Sequence, residues 1–369
     1  MATFTNTVDV TFSHPFGIEW LKKVSEECNL RKGLVWVLSA CLMMVVSTSG
    51  LASGKVIRVG YFPNITHAQA LVGVADGSFQ RALGPTVKIE TFIFNAGPSV
   101  IEAMMAGQLD LAYIGPNPAI NGYIKTRGQL LKIIAGAASG GAGLVLRADL
   151  NIKKVGQLSG LKIATPQLGN TQDVALRYFL RVNGLKPTEQ GGTVQVIPIA
   201  NPDQLNLMRK KEIAGAWGVE PWVSRLIAET NGVLFKDERD LWPQGQFVTA
   251  NIIVSQAFLK RNPLLVEKWL KAHVEITQRI NANLGEAQKL VNQEIKKITG
   301  KPLPDQIVAQ AFTRFEVTYD PLMKSLFTSA DHAFELGFLG KKKPDLKNIY
   351  EISILNRVLK DFKLPLIKE

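Results

Sequence analysis

From Lys55 onward the chain alternates short β-branched runs with helical stretches, and after about residue 146 the rhythm restarts. Strands are expected over 56–61, 87–94, 109–114 and 131–137, with helices over 67–75, 99–106 and 119–126 between them. The second round places strands at 161–165, 193–197 and 213–217, and helices at 174–183, 204–211 and 222–229. A strand over 248–254 returns to the first unit, and helices follow over 263–298, 304–315, 322–336 and 348–362. The β-α-β order predicts an α/β protein of two lobes, each a mostly parallel sheet flanked by helices, with a helical C-terminal segment. Residues 53–146 build the first lobe, 147–247 the second, and 248–369 the return and the C-terminal helices. Two crossings, near 145–149 and 246–250, would act as a hinge.

Residues 1–52 have a different character. Arg31-Lys32 precedes an apolar stretch from Gly33 to Ser47, and small residues follow up to Ser53. This pattern predicts a secretory signal peptide cleaved near Ala52. At about 15 residues the stretch is short for a membrane span. Leu38-Ser39-Ala40-Cys41 has the look of a lipoprotein box, but Leu42 to Val46 continue the apolar run past it, so no lipid anchor is expected at Cys41. The thirty residues before Arg31 are unusual for such a leader, and translation is expected to start near Val24 or Leu30.

The leader also holds both cysteines, Cys28 and Cys41, so the remaining chain has no disulfide, no catalytic thiolate and no cysteine-ligated zinc. The formal charge is +12, from 43 Lys and Arg against 31 Asp and Glu. A basic balance suits an anionic ligand, a membrane surface or nucleic acid, and equally a solvated basic surface. The longest basic run, Lys341 to Lys343, has no interleaved aromatic residue, so nucleic acid is not an expected partner.

Chemistry concentrates where strands turn into helices. In open α/β sheets ligands settle at the carboxyl ends of strands, where helix N-termini present unpaired N–H groups. Here strand 56–61 leads into Asn64-Ile65-Thr66-His67-Ala68-Gln69, strand 87–94 into Asn95-Ala96-Gly97-Pro98-Ser99, and strand 109–114 into Gly115-Pro116-Asn117-Pro118. In the second unit, strand 161–165 leads into Gly169-Asn170-Thr171-Gln172. Each junction alone is an ordinary helix start. Together, spread over both units, they suit a cleft that closes on an anion without needing lysine or arginine.

Enzyme signatures are missing: no GxxxxGK[ST], no HExxH and no GxSxG, so no catalytic residue, cofactor or metal is assigned. Of the histidines beyond the leader, only His67 lies at an expected ligand edge, either as a site residue or as a polar helix start. Trp217 ends a strand, and Glu220-Pro221-Trp222 opens the helix after it, where the loop should overhang the cleft. A carboxylate at Glu220 would repel a bare anion but can engage a ligand amine or a neighbouring donor.

Several segments carry a family likeness. RVGYFPNITHAQALVG (58–73), NAGPSVIEAMMAGQLDLAYIGPNPAI (95–120), GNTQDVALRYFL (169–180), AGAWGVEPWVSRL (214–226) and IYEISILNRVLKDF (349–362) resemble the type II periplasmic binding proteins of nitrate, taurine and aliphatic-sulfonate importers, the sulfonate binders above all. The resemblance implies the two-lobed fold of that class. It implies that Asn64 to Gln69, Ser99, Asn117 and Gly169 to Gln172 line the ligand cleft. It further implies an extracytoplasmic solute-binding protein working with ABC permease and ATPase subunits as a monomer, in the periplasm or secreted.

The expected ligand is an aliphatic sulfonate trapped by lobe closure. Thr66, Ser99, Asn117, Asn170 and Thr171 would hold the head, and Trp222 the alkyl part. Nitrate, taurine or a thiamine pyrimidine precursor are alternatives, as is a biosynthetic enzyme on the same fold. A further role in feeding a membrane sensor stays open.

Overall fold

The computed structural model describes residues 55–368; the expected leader, its cleavage point and both cysteines lie outside them. The first lobe opens with β1 (Lys55–Tyr61), α1 (Ala68–Ala75), α2 (Ser78–Leu83), β2 (Val87–Ile93), α3 (Gly97–Met105), β3 (Leu111–Ile114), α4 (Pro116–Lys125) and β4 (Leu131–Gly140). The second lobe comprises β5 (Ala142–Arg147), β6 (Lys162–Thr165), α5 (Thr171–Val182), β7 (Gln195–Pro198), α6 (Asn201–Arg209), β8 (Gly215–Val219), α7 (Trp222–Thr230) and β9 (Gly232–Asp237). The chain then returns through β10 (Val248–Ser255). It continues with α8 (Gln256–Arg261), α9 (Pro263–Ala282), α10 (Leu284–Thr299), α11 (Asp305–Phe312), β11 (Phe315–Val317), α12 (Met323–Glu335) and α13 (Ser353–Asp361).

Among the described residues there are two sheets, ordered β11-β4-β10-β3-β1-β2 and β7-β6-β8-β5-β9. Both are covered on two faces, which is why their central strands are apolar at every position. In β3, Leu111 and Tyr113 enter one core while Ala112 and Ile114 enter the other. In the second sheet Leu144, Ile163 and Trp217 pack on one face, and Val145, Ala164 and Ala216 on the opposite one. This is the two-residue period of a strand buried on both sides.

The expected parallel order holds for β1 with β2 and β3, and for β6 with β7 and β8. The strands nearest the crossings run the other way: β10 is antiparallel to β3 and β4, and β5 is antiparallel to β8 and β9. The sheets are therefore mixed. A strand that arrives from the other lobe enters from the opposite end.

The first change of sheet occurs at Gly140-Gly141, earlier than the expected 145–149, so 142–146 belong to the second sheet. Both glycines have positive φ, 82° and 78°, a conformation costly for any residue with a Cβ. The expected helix over 263–298 is two helices, because Asn283 breaks it and its side chain accepts the amide of Glu286 to cap α10.

Candidate functional site

The starts of several helices meet at one crevice between the lobes. Its empty space is about 380 Å³, part of it open to solvent. From the first lobe come Phe62, Asn64, Thr66 and His67 after β1, Asn95 to Gly97 at the start of α3, Gly115 and Pro118 at α4, and Thr249 on β10. From the second come Pro166, Asn170, Thr171 and Gln172 at α5, Asn201 at α6, and Val219 at the end of β8.

None of these lining side chains is a lysine, arginine, aspartate or glutamate. The sole titratable one, His67, is buried, and burial pushes its pKa down to about 3, so the ring is neutral near pH 7. Its Nδ1 accepts the amide of Phe62 at 3.2 Å, and the ring stacks on Phe62 at 4.5 Å. With no cationic side chain on the wall, what it offers an anion is backbone N–H groups and the neutral N–H and O–H donors of its Asn, Gln and Thr side chains. The first amides of a helix have no intrahelical acceptor. Neither Ala96 before α3 nor Gly115 before α4 offers a side-chain cap. Prolines at 116 and 118 strip two donors from α4, leaving α3 and α5 with more free amides at this wall.

The α5 start is held rigidly. Asp173 is fully buried; its carboxylate accepts Thr165 Oγ1 at 2.9 Å, the amide of Gly169 at 2.9 Å and Arg177 Nε at 3.0 Å. Asn170 Oδ1 takes the Asp173 amide at 2.8 Å. The negative charge is thus consumed within the loop, while the Thr171 and Gln172 amides stay without helical partners. Among the described residues, two buried side-chain oxygens on the wall, the hydroxyl of Thr171 and the amide oxygen of Asn201, have no hydrogen-bond partner. Unpaired buried polar atoms are costly and point to a missing partner.

Across the lobes, the Ile65 amide donates to the Glu220 carbonyl at 3.0 Å and Trp222 Nε1 to Asn64 Oδ1 at 3.0 Å. These bonds tie the loop after β8 to the turn after β1.

Of the residues expected at the cleft, Asn64, Thr66, His67, Gly97, Asn170, Thr171 and Gln172 line this crevice. The others sit elsewhere. Gln69 is fully buried and donates to the Ala137 carbonyl and Thr277 Oγ1, because the first turn of α1 turns it into the core. Asn117 exchanges hydrogen bonds with Ser329 on α12. Ser99 lies 3.5 Å from Gln167 Nε2 of the other lobe, outside the wall. Gly169 faces a neighbouring groove beside Phe338.

Glu220 is fully buried, its carboxylate accepting the amide and hydroxyl of Ser224 and pairing with Arg314 Nε at 3.1 Å. Burial dominates over those partners and pushes its pKa up to about 7. Trp222 turns its indole to Asn64, and Arg225 covers its ring. Trp217 packs in the second core and donates to Glu238 at 2.8 Å. Asn201 and Thr249 were not anticipated. Asn201-Pro202 at the head of α6 was a readable helix start, whereas nothing around Thr249 marks it.

Two α/β lobes closing over a crevice lined by helix starts define the two-lobed periplasmic binding-protein architecture. The NMT1-like family model matches residues 52–294, and the chain belongs to that family. Among its relatives is the taurine-binding periplasmic protein of Escherichia coli K12, 24% identical over 214 residues, which cover 58% of this chain and 63% of that protein. The same fold is seen in the alkanesulfonate-binding protein SsuA from Xanthomonas axonopodis pv. citri bound to MOPS, with TM-score 0.66 and 17% identity over 78% of this chain and 95% of that one. The nitrate-binding protein NrtA from Synechocystis PCC 6803 shares it with TM-score 0.71 and 13% identity, over 84% and 90%.

Proposed function

We propose that this chain is the extracytoplasmic solute-binding component of an ABC importer, capturing a small organic anion of the sulfonate class between its lobes. The carrying observation is a crevice with no charged side chain, built from helix starts with free backbone amides and bearing a buried Thr171 hydroxyl that has no partner among the described residues. Such donors match a weakly basic anion whose charge is spread over several oxygens. A carboxylate available to a ligand ammonium is absent from the wall, since Glu220 is engaged by Ser224 and Arg314. That favours an alkanesulfonate over taurine.

Closure would be a population shift, the ligand binding more tightly the state in which both lobes touch it. The leader, a location outside the cytoplasm, a monomeric state and handover to permease and ATPase subunits belong to the same proposal.

Calorimetry with ethanesulfonate, butanesulfonate, taurine and nitrate, followed by mass analysis of the recovered ligand, tests it. Alkanesulfonates should bind at micromolar Kd or below, as a rough order of magnitude, and be recovered unchanged. Thr171→Ala should weaken them by roughly tenfold, the worth of one neutral hydrogen bond. Conversion of the ligand, or no affinity for any sulfonate, would defeat the reading.

A further inference from the structure

Two side-chain amides on the crevice wall, Asn64 from the first lobe and Gln172 from the second, each have one end already taken. Such an amide accepts at its oxygen and donates at its nitrogen, so the end that faces a site is decided by what holds the other. An indole N–H can only donate. Trp222 Nε1, 3.0 Å from Asn64 Oδ1, therefore fixes the Asn64 oxygen toward α7. The Nδ2 end, without an acceptor among the described residues, is left for the crevice. The same ordering recurs at α5. The Asp173 amide, again a donor only, takes Asn170 Oδ1 at 2.8 Å, and Asn170 Nδ2 donates to Gln172 Oε1 at 3.1 Å. Gln172 keeps its Nε2 end for the crevice.

The donor that orients Asn64 is itself held. Trp222 and Asn64 are both buried, and Arg225 lies 4.7 Å over the indole ring. Glu229, one turn further along α7, holds Arg225 by hydrogen bonds of 2.6 and 3.4 Å. Trp222 belongs to the second lobe and Asn64 to the first, so this orientation exists only while the lobes are together. The alkyl contact expected of Trp222 has no place, since the indole stands outside the crevice wall.

We propose that Trp222 is a positioning residue for anion capture: its indole N–H holds the Asn64 amide with the nitrogen turned into the crevice, so that a first-lobe donor is set as the second lobe closes. This rests on the anion-capture reading and adds a determinant of specificity to it. Asn170 plays the matching part for Gln172 within the second lobe. A sulfonate oxygen only accepts, and hydrogen bonds to a charged acceptor are roughly twice as strong as neutral ones. An amide turned the other way would forfeit such a bond and set its own oxygen against those of the ligand. The donor gained on closure also adds to the difference in affinity that favours the closed state.

The test measures ethanesulfonate binding by calorimetry on the whole protein, with thermal melts to report folding. Trp222→Phe keeps an aromatic ring but removes the N–H, and is expected to bind about tenfold more weakly. Asn64→Asp still accepts the indole N–H, so the tie between the lobes survives, but an oxygen replaces the inward nitrogen. Its affinity is expected to fall by about 100-fold. By NMR, the Asn64 side-chain amide protons should shift when ethanesulfonate is added to the wild type, and much less in Trp222→Phe. A tie that serves packing alone predicts that Asn64→Asp binds like the wild type and that these protons do not respond. Either result, or an unchanged affinity in Trp222→Phe, overturns the positioning role alone. If ethanesulfonate does not bind the wild type, the anion-capture reading falls and this inference falls with it.

Discussion

Gly115→Val is expected to weaken sulfonate binding by about 100-fold or more, about 2.7 kcal/mol, while the protein stays folded. Gly115 lies on the crevice wall just before α4, with φ −69° and ψ 159°, a conformation open to any residue. Backbone strain is therefore not the source of the effect. A Cβ built there would stand 2.3 Å from Thr171 Oγ1, a residue of the opposite lobe. The added methyls would force Thr171 and the α5 start away from α4 and push the lobes apart, which removes the closed, liganded state. Calorimetry alongside a thermal melt checks this. Unchanged affinity would mean that capture does not need the lobes closed at the Gly115–Thr171 contact.

Gly136→Ala is expected to cost stability rather than binding chemistry, by about 3 kcal/mol. The residue lies within β4, opposite Asn251 of β10, and its amide donates to the Tyr319 carbonyl at 2.9 Å. An added Cβ would lie 1.9 Å from the Asp320 carbonyl oxygen and 2.5 Å from its carbon. Both are backbone atoms of a segment fastened to β4, so relief requires moving the chain between β11 and α12. His273 Nε2 lies 2.9 Å from the Gly136 carbonyl, within hydrogen-bond reach, so any shift would also disturb a fully buried histidine. Urea unfolding of the variant should show a clearly lowered midpoint with a slope close to wild type. A midpoint within experimental error of wild type would show that the segment yields freely.

The two variants separate what was legible in the sequence from what was not. Strand–turn–helix junctions announce themselves through turn residues at the ends of apolar runs, and four of those anticipated contribute to the crevice. Direction within a helical turn does not announce itself. Thr66 and Gln69 are three residues apart and equally polar, yet one faces the crevice while the other faces Ala137 and Thr277. Asn117 reads as a ligand contact until α12, more than two hundred residues away, supplies Ser329. Thr249 reaches the site because β10 inserts between β3 and β4, a pairing that no local pattern encodes. Glu220 reads as able to engage a ligand amine or a neighbouring donor; it takes Ser224 and pairs with Arg314, which comes from the segment after α11 and leaves no local trace in the sequence. The reversed strands escaped for the same reason: their direction follows from where the chain re-enters a sheet.

A crystal structure of the protein with a bound sulfonate tests the central claim most directly. The account predicts sulfonate oxygens within hydrogen-bond distance of backbone N–H groups at the starts of α3 and α5, with no lysine or arginine in contact. A sulfonate gripped by a cationic side chain, or lodged outside the crevice, would contradict it.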